Sequence, residues 1–371
     1  MKISFSNTTR QEEKIRAQID EMILNIINQE DYIYHPVVYE FEHRLAKYLG
    51  VKHVVTVASG TDALILALKA AGIGPGDEVI TSAFSFFSTA ASIAHVGGIP
   101  VFVDIDPTTF NINVELIEQK INENTKAILP VHLFGQSVEM DKVNDIAKQQ
   151  NLLVIEDAAQ SLGAKYNGNM TGTMSLAGCL SFNCSKNLGA FGNGGAVVTN
   201  DDQIAKEVRL QRNYGLDGYF HHTRLGINSN ITAIQAGVLS IKLQCLNEWN
   251  EMRNQIADFY SNSLSDIEYL KLPSIPHGNT HVFHKYTVIA NERERLQRFL
   301  KEKGIETKVF YPESLPSQPC FNKYVKDANC FNEVTHLVQS VISLPIYPGL
   351  TSGELFYVVE CIKNFYSNCL H

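Results

Sequence analysis

Lys186 is a candidate reactive residue because of its place in the sequence. It lies between the apolar run CLSFNCS and a glycine-rich loop, in the stretch SFNCSKNLGAFGNGGAVVTN. A lysine at a strand end commonly just keeps a solvated charge. Its amine becomes a nucleophile toward a carbonyl or an aldehyde when burial or cationic neighbours lower its pKa. This second interpretation requires partner groups elsewhere in the chain.

A candidate phosphate seat lies much earlier, at Ser59-Gly60-Thr61-Asp62, between an expected strand and an expected helix. Free backbone N–H groups at a helix start, with a glycine that permits close approach and a hydroxyl beside it, bind phosphate. The alternative is an ordinary helix cap without a ligand, in which Ser59 or Thr61 is the capping residue.

A candidate carboxylate is Asp157, which follows Glu156 at the end of the apolar run LLVIED. A buried aspartate costs free energy unless a cation or hydrogen-bond donors meet it. One such cation is the protonated ring nitrogen of a pyridine. The alternative is a structural aspartate that binds backbone amides.

The elements that would position these groups alternate strictly between strand and helix in the first half of the chain. Strands are predicted at KHVVTVAS, DEVITSA, IPVFVDID, TKAILPVHLFG and LLVIEDA, with helices at TDALILALKAAG, FSTAASIAHVGG, NVELIEQKINEN and EMDKVNDIAKQQN. This alternation predicts a parallel sheet covered by helices on both faces. In such a sheet ligands bind beyond the carboxyl ends of the strands, where all three groups lie.

The pattern changes after residue 200. The segment 232–264 reads as one long helix, which could run from one domain into the next. The strands HVFHKYTVIA and ETKVFY, the helix RERLQRFLKEKG and a last helix near GELFYVVECIKNFYS then predict a smaller α+β unit. We therefore expect a large domain over residues 1–246 and a small one over 247–371.

Composition narrows the class of protein. The chain has 371 residues, 44% of them apolar, and a net charge of −8, which argues for a globular protein without a nucleic-acid surface. No apolar run could span a bilayer or serve as a signal peptide, so we expect a cytoplasmic protein without membrane contact. Seven scattered cysteines without ligand spacing predict a reducing compartment and no metal site: 179, 184, 245, 320, 330, 361 and 369.

A phosphate seat, a carboxylate and a lysine are the three anchors that pyridoxal 5'-phosphate (PLP) requires. Over nearly its whole length the chain resembles the DegT/DnrJ/EryC1/StrS family of nucleotide-sugar aminotransferases. The blocks that carry the resemblance are VASGTDALILALKAAGIGPGDEVI, VFVDIDPTTFNI, TKAILPVHLFGQ, VIEDAAQSLGAKYNG, SFNCSKNLGAFGNGGAVVTND, RLGINSNITAIQAGVLSIKL and SLPIYPGLT. The resemblance implies the fold type I architecture, with a mostly parallel seven-stranded sheet between helices and a smaller C-terminal α+β domain.

The resemblance also implies cofactor roles for individual residues. Lys186 would join covalently to the cofactor aldehyde and later move the proton, Asp157 would pair with the ring nitrogen, and Gln160 would contact the ring hydroxyl. The remaining contacts implied within one chain are Phe86 on the ring face and Gly60, Thr61 and Ser181 at the phosphate. Phe86 could instead be a core aromatic residue.

Asn228, in GINSN, matches the asparagine with which this family reaches the phosphate of the neighbouring subunit. The resemblance therefore implies a homodimer with its active sites at the interface. Without the resemblance, GINSN reads as a turn.

The implied reaction moves an amino group from an amino acid, by family habit glutamate, to a keto-sugar nucleotide for amino-sugar or surface-polysaccharide biosynthesis. RNYGLDGYFHH and LNEWNEMRNQIADFY are most similar to the branch that aminates C3 of 3-keto sugars on thymidine or uridine diphosphate. The alternatives are C4 amination of a 4-keto-6-deoxy sugar and a non-catalytic PLP-binding regulator. A cysteine desulfurase is disfavoured, because Cys184 lies only two residues from Lys186.

The chain departs from the family pattern near the expected sugar. Asn183, Asn193, Asn230 and Pro316 stand where the family often has a tyrosine, an acidic residue, an arginine and a histidine, whereas the three cofactor anchors are kept. The candidate substrate contacts are Arg10, Tyr34, His35, Asn183 and His284.

Overall fold

A computed structural model describes residues 1–29, 31–325 and 330–368 of the chain. Its α-helices are α1 (Thr8–Glu12), α2 (Arg16–Gln29), α3 (Pro36–Leu49), α4 (Gly60–Ala70), α5 (Ser88–His95), α6 (Met140–Gln149), α7 (Asp202–Gln211), α8 (Ala233–Lys242), α9 (Leu246–Leu264), α10 (Arg293–Glu302), α11 (Asn332–Ser340) and α12 (Ser352–Asn368). Its strands are β1 (His53–Val57), β2 (Glu78–Ser82), β3 (Ile99–Val103), β4 (Thr125–Leu129), β5 (Leu153–Asp157), β6 (Lys165–Tyr166), β7 (Asn169–Met170), β8 (Ala177–Ser181), β9 (Gly195–Thr199), β10 (Leu270–Lys271), β11 (Tyr286–Ala290) and β12 (Val341–Leu344).

The large sheet has seven strands within the described residues, in the order β1-β9-β8-β5-β4-β2-β3. All its neighbours pair in parallel except β9, which is antiparallel to both β8 and β1. Successive residues of β9 face opposite cores: Val197 packs toward α4 and α7, and Val198 toward α3 and α8. The predicted mostly parallel sheet between helices is therefore confirmed.

A second body surrounds the small antiparallel sheet β10-β11-β12. Its core joins these strands to α9, α10 and α12. The N-terminal Ile3 belongs to the same core and pairs with Ile305. Because α9 contributes Leu246 to the core of the large sheet and Tyr260 to the second core, it connects the two bodies. The domain boundary near residue 247 stays a prediction.

Three predicted elements differ in the structure. NVELIEQKINEN forms two short 3-10 turns, Val114–Leu116 and Glu118–Lys120. The buried Val114 and Ile117 are three residues apart, a spacing that suits 3-10 and α-helical geometry alike. ETKVFY is not a strand, since it pairs with β12 at a single residue, Lys308. The long helix 232–264 is divided into α8 and α9 by the 3-10 turn Leu243–Cys245.

Two further features bear on the cellular setting. Among the described residues, no helix combines the length and the apolar character that a membrane crossing needs. The described cysteines are all free, and Cys369 lies outside the described residues. The cytoplasmic location stays a prediction.

Candidate active site

A cavity of about 750 Å³ lies where the carboxyl ends of β1, β2, β5 and β8 meet the second body. The residues predicted for the site that line it are Gly60, Thr61, Phe86, Asp157, Gln160, Ser181, Asn183, Lys186 and His284. Its volume is typical of a site for a small molecule. Residues more than 200 positions apart in sequence thus converge on one space.

The N-terminus of α4 forms one wall of this cavity. Ser59 caps the helix by accepting a hydrogen bond from the Asp62 amide at 3.1 Å. The cap leaves the first N–H groups, those of Gly60 and Thr61, without acceptors within the helix. A Cβ at Gly60 would lie 2.7 Å from Cβ of Ser181, so only glycine lets the helix start approach β8 this closely. The cap and the anion seat are therefore compatible interpretations of the same four residues.

Asp157 ends β5 and is buried. It accepts hydrogen bonds from Thr89 Oγ1 at 2.8 Å and from the Ala159 amide at 3.2 Å. Burial raises the pKa of Asp157, while these two hydrogen bonds and the charge of Lys186 oppose that rise. A carboxylate in this setting gains from a further cation.

The neighbouring carboxylate, Glu156, serves the fold. Its oxygens accept from the amides of Gly172 at 2.6 Å and Met174 at 2.8 Å, and from Ser175 Oγ at 2.9 Å. His132 lies 2.8 Å away on the same carboxylate. Because side chains alternate along a strand, Glu156 and Asp157 face opposite sides of β5 and meet different neighbours.

Lys186 lies in the connection between β8 and β9, and its side chain is partly exposed to the cavity. Burial lowers the pKa of Lys186 to about 8, against the attraction of Asp157. The connection is anchored by hydrogen bonds from the Phe182 amide to Gly194 and from the Ala190 amide back to Phe182, both 2.8 Å long. An amine with a lowered pKa, held on a fixed loop, is a nucleophile near neutral pH.

Several side chains at or near the cavity, unlike Gln160, were not predicted from the sequence. Gln160 Oε1 accepts from the Phe134 amide at 3.0 Å, and its Nε2 donates to the Tyr311 hydroxyl at 3.2 Å. Tyr311, Thr89, Lys285 and Lys308 belong to no recognised motif. The rule of strand ends applied only to the large sheet, whereas the segment 306–311, which pairs with β12 only at Lys308, brings Lys308 and Tyr311 to the cavity.

Phe86 is exposed over 55% of its surface and lines the cavity, so it is not a core aromatic residue. Its ring centroid lies 6.3 Å from that of Tyr311. Asn183 donates to Asn193 at 2.8 Å, so two of the departures from the family pattern form a pair at the cavity. Burial lowers the pKa of His284 well below its usual value, which keeps this imidazole neutral.

Four predicted residues lie outside the described lining of this cavity. Arg10 forms an ion pair with Glu354 at 2.7 Å. Tyr34 lines a smaller cavity beside Arg209. His35 caps α3, with Nδ1 accepting from the Val37 amide at 3.1 Å. Asn228 is exposed.

The donor set fits PLP. The α4 seat with Ser181 suits its phosphate, the buried Asp157 suits its ring nitrogen, and the partly exposed amine of Lys186 suits its aldehyde. Glycine at position 60 lets the start of α4 lie against Ser181, which brings the N–H groups of α4 and the Ser181 hydroxyl together at one end of the cavity.

Comparison with known proteins agrees with this chemistry. The sequence profile of the DegT/DnrJ/EryC1/StrS aminotransferase family matches residues 13–363. The chain is 42% identical to a pleiotropic regulatory protein of Geobacillus stearothermophilus, with 99% of each chain covered. It is 39% identical to the UDP-2-acetamido-2-deoxy-3-oxo-D-glucuronate aminotransferase of Pseudomonas aeruginosa, covering 98% of this chain and 100% of the other. A crystal structure of a DegT DnrJ EryC1 StrS aminotransferase from Brucella abortus is similar at a TM-score of 0.95 and 35% identity, over 99% of this chain and 100% of that one.

Proposed function

The chain belongs to the DegT/DnrJ/EryC1/StrS aminotransferase family, whose aminotransferases depend on PLP, and on that premise we propose that it aminates C3 of a keto-sugar linked to UDP or dTDP. The amino donor is an amino acid, L-glutamate. The proposal is supported by the similarity to an aminotransferase named for a 3-oxo sugar nucleotide, together with a single cavity that is lined by Gly60, Asp157 and Lys186. The amino sugar then serves the synthesis of a surface polysaccharide or related glycan in the cytoplasm.

We assign the cofactor contacts to the residues that line the cavity. Gly60, Thr61 and Ser181 hold the phosphate, Asp157 the ring nitrogen, Gln160 the ring hydroxyl, Phe86 the ring face and Lys186 the aldehyde. The bound cofactor supplies an electron sink that stabilises the carbanion formed at the reacting carbon.

The protein's own groups supply charge and proton transfer. Asp157, held by Thr89 and Ala159, stabilises positive charge at the ring nitrogen. Lys186, with its pKa lowered to about 8, carries the proton at its Nζ as general base and then as general acid. The neutral His284 and the Asn183–Asn193 pair contact the substrate without adding charge.

We further propose that the active unit is a homodimer in which Asn228 of the partner subunit completes the phosphate site. Asn228 is exposed and lies outside its own chain's cavity. The segment before it exposes apolar side chains to an extent that is unusual for a free surface, at Tyr219 (93%), Phe220 (77%) and Leu225 (90%). A second copy that covers this segment explains both features.

The two half-reactions can be tested separately. Holoenzyme is mixed with L-glutamate, and the visible absorbance of the cofactor and the formation of 2-oxoglutarate are followed. The aminated enzyme is then offered UDP- and dTDP-linked 3-keto and 4-keto sugars, and NMR identifies the carbon that carries nitrogen in the product. Lys186→Ala should abolish both half-reactions, whereas the exposed Lys301→Ala should leave both intact.

The outcomes separate the alternatives. Nitrogen at C3 supports the proposal, and nitrogen at C4 would move the assignment to 4-keto sugars. If glutamate aminates the cofactor but no sugar discharges it, the sugar assignment fails. If neither half-reaction proceeds, the regulator interpretation is favoured instead.

A further inference from the structure

Two lysines of the second body enter the cavity beside the residues assigned above. Lys285 precedes β11, and Lys308 lies in the segment that pairs singly with β12. Both line the cavity, on the wall that also presents Tyr311. The α4 seat belongs instead to the wall formed by the large sheet.

Aromatic rings, not carboxylates, surround these two ammonium groups. Lys285 Nζ lies 5.1 Å from the ring centroid of Phe5 and 5.1 Å from that of Phe310. Lys308 Nζ lies 5.3 Å from the Phe5 ring. Ring faces attract a cation but leave its N–H donors available.

Among the described residues, no carboxylate lies within ion-pair distance of either Nζ. Asp157 is the one acidic side chain among the cavity's described lining, which also contains three lysines: Lys186, Lys285 and Lys308. The cofactor's phosphate binds at α4, so it does not neutralise this wall. The side of the second body therefore presents two lysines and, among the described lining, no acidic side chain to pair with them.

This arrangement is costly for the fold. Lys285 is half-buried, and burial, with repulsion from Arg253, Lys186 and Lys308, lowers its pKa well below the usual value. Placing like charges together without counterions destabilises a folded protein. Positions that cost stability in this way commonly serve binding.

We propose that Lys285 and Lys308 form an anion subsite that takes an anionic oxygen group of a substrate. The inference rests on the proposed function, because both substrates of that reaction carry such a group: the amino-acid donor has a carboxylate, and the sugar nucleotide has a diphosphate. The donors of two ammonium groups suit either one. In a two-step transamination both substrates use the same cavity in turn.

The test compares Lys285→Met and Lys308→Met with the wild-type holoenzyme, and Lys301→Met serves as an exposed control on α10. Methionine keeps an unbranched apolar stem and removes the charge. Calorimetry measures the binding of glutarate and of UDP, the midpoint of thermal unfolding (Tm) reports stability, and the two half-reactions are timed separately. The loss of charge-assisted hydrogen bonds should weaken binding of one probe by about 10-fold or more. Lys308→Arg keeps the positive charge, so it should bind that probe more tightly than Lys308→Met does.

The two probes, glutarate and UDP, show which substrate supplies the anionic group. Weaker glutarate binding with a slower glutamate half-reaction assigns the subsite to the donor carboxylate, and weaker UDP binding assigns it to the diphosphate. In either case Tm should stay equal to that of the wild type or rise. Unchanged binding of both probes would overturn the subsite, as would a wild-type protein that binds neither. Because neither probe is a keto-sugar, this result is independent of whether any keto-sugar is aminated.

Discussion

At the scale of single residues, the site depends on placing one amine and one carboxylate where water reaches neither freely. Burial acts on the two groups in opposite senses, since it lowers the pKa of Lys186 and raises that of Asp157. Each group stabilises the charged form of the other, which offsets part of the cost of burying a charge. This pairing was predictable from strand ends, whereas Thr89, which donates to Asp157 from α5, was not.

The lowered pKa of Lys186 predicts its reactivity in protein freed of cofactor. An amine reacts with an acylating reagent only when it is deprotonated, so a lower pKa moves the onset of reaction to lower pH. We expect half-maximal labelling of Lys186 near pH 8, measured by peptide mapping over a pH series. Asp157→Asn removes the attraction that raises this pKa and should shift the half-point lower still. A half-point near 10.5, the ordinary lysine value, would contradict the environment described.

The close approach of α4 to β8 predicts the effect of adding one methyl group. Gly60→Ala places Cβ 2.7 Å from Cβ of Ser181, which should lower the free energy of unfolding by about 1–3 kcal/mol and weaken phosphate binding. Gly74→Ala is the matched control, because its Cβ meets nothing within 4 Å. Denaturant unfolding gives the free energy of unfolding of both variants. Partial rescue of Gly60→Ala by Ser181→Gly would identify the contact responsible, and an unaffected Gly60→Ala would refute it.

At the scale of elements, β5 carries adjacent carboxylates with separate duties. Glu156 ties the segment 172–175 to the sheet, and Asp157 faces the cavity. The sequence singled out Asp157 at the strand end and left open that it was a structural aspartate, but it assigned no duty to Glu156. Only the distribution of hydrogen-bond donors around the strand distinguishes them.

This division predicts opposite phenotypes for two isosteric changes. Glu156→Gln leaves buried donors facing an amide, so the free energy of unfolding should fall by about 3 kcal/mol. Asp157→Asn should change it by about 1 kcal/mol or less, while transamination falls roughly 100-fold or more. Equilibrium unfolding and the glutamate half-reaction measure the two effects. Equal losses of stability in both variants would contradict the division.

The elements themselves were predictable where the chain repeats one pattern. The strands β1, β2 and β4 are short apolar runs, and the next α-helix after each, α4, α5 or α6, lies where the sequence predicts one. NVELIEQKINEN failed because Val114 and Ile117 satisfy both helical and 3-10 spacing, and only packing decides between them. The antiparallel β9 follows a glycine-rich loop, and its direction depends on its neighbours rather than on local sequence.

At the scale of the whole molecule, the cavity joins both bodies and the N-terminal segment. Phe5 and Ser6 line it, as do residues of the large sheet and of the segment 308–311. The sequence predicted the large-sheet wall well. Apart from His284, the other wall was missed, because its residues come together only when the second body packs against the first.

The proposed dimer predicts recovery of activity from two inactive variants. Each site of the proposed dimer uses Lys186 from one subunit and Asn228 from the other. Lys186→Ala and Asn228→Asp should therefore each inactivate both sites of a homodimer. After random reassociation, about a quarter of all sites should again carry both wild-type residues. Activity assays on mixed and unmixed samples measure this recovery. If the mixture stays inactive although the subunits exchange, Asn228 acts within its own chain. If Asn228→Asp is active on its own, Asn228 has no part in the site.

The buried start of the chain has a practical consequence for anyone who purifies this protein. Ile3 pairs with residues 304 to 306 and the Phe5 amide donates to Glu306, while Phe5 and Ser6 line the cavity. Removing the first six residues would therefore take away part of the cavity wall together with a contact of the second body. Kinetic constants should be collected on protein that keeps these residues, with a shortened sample as the comparison.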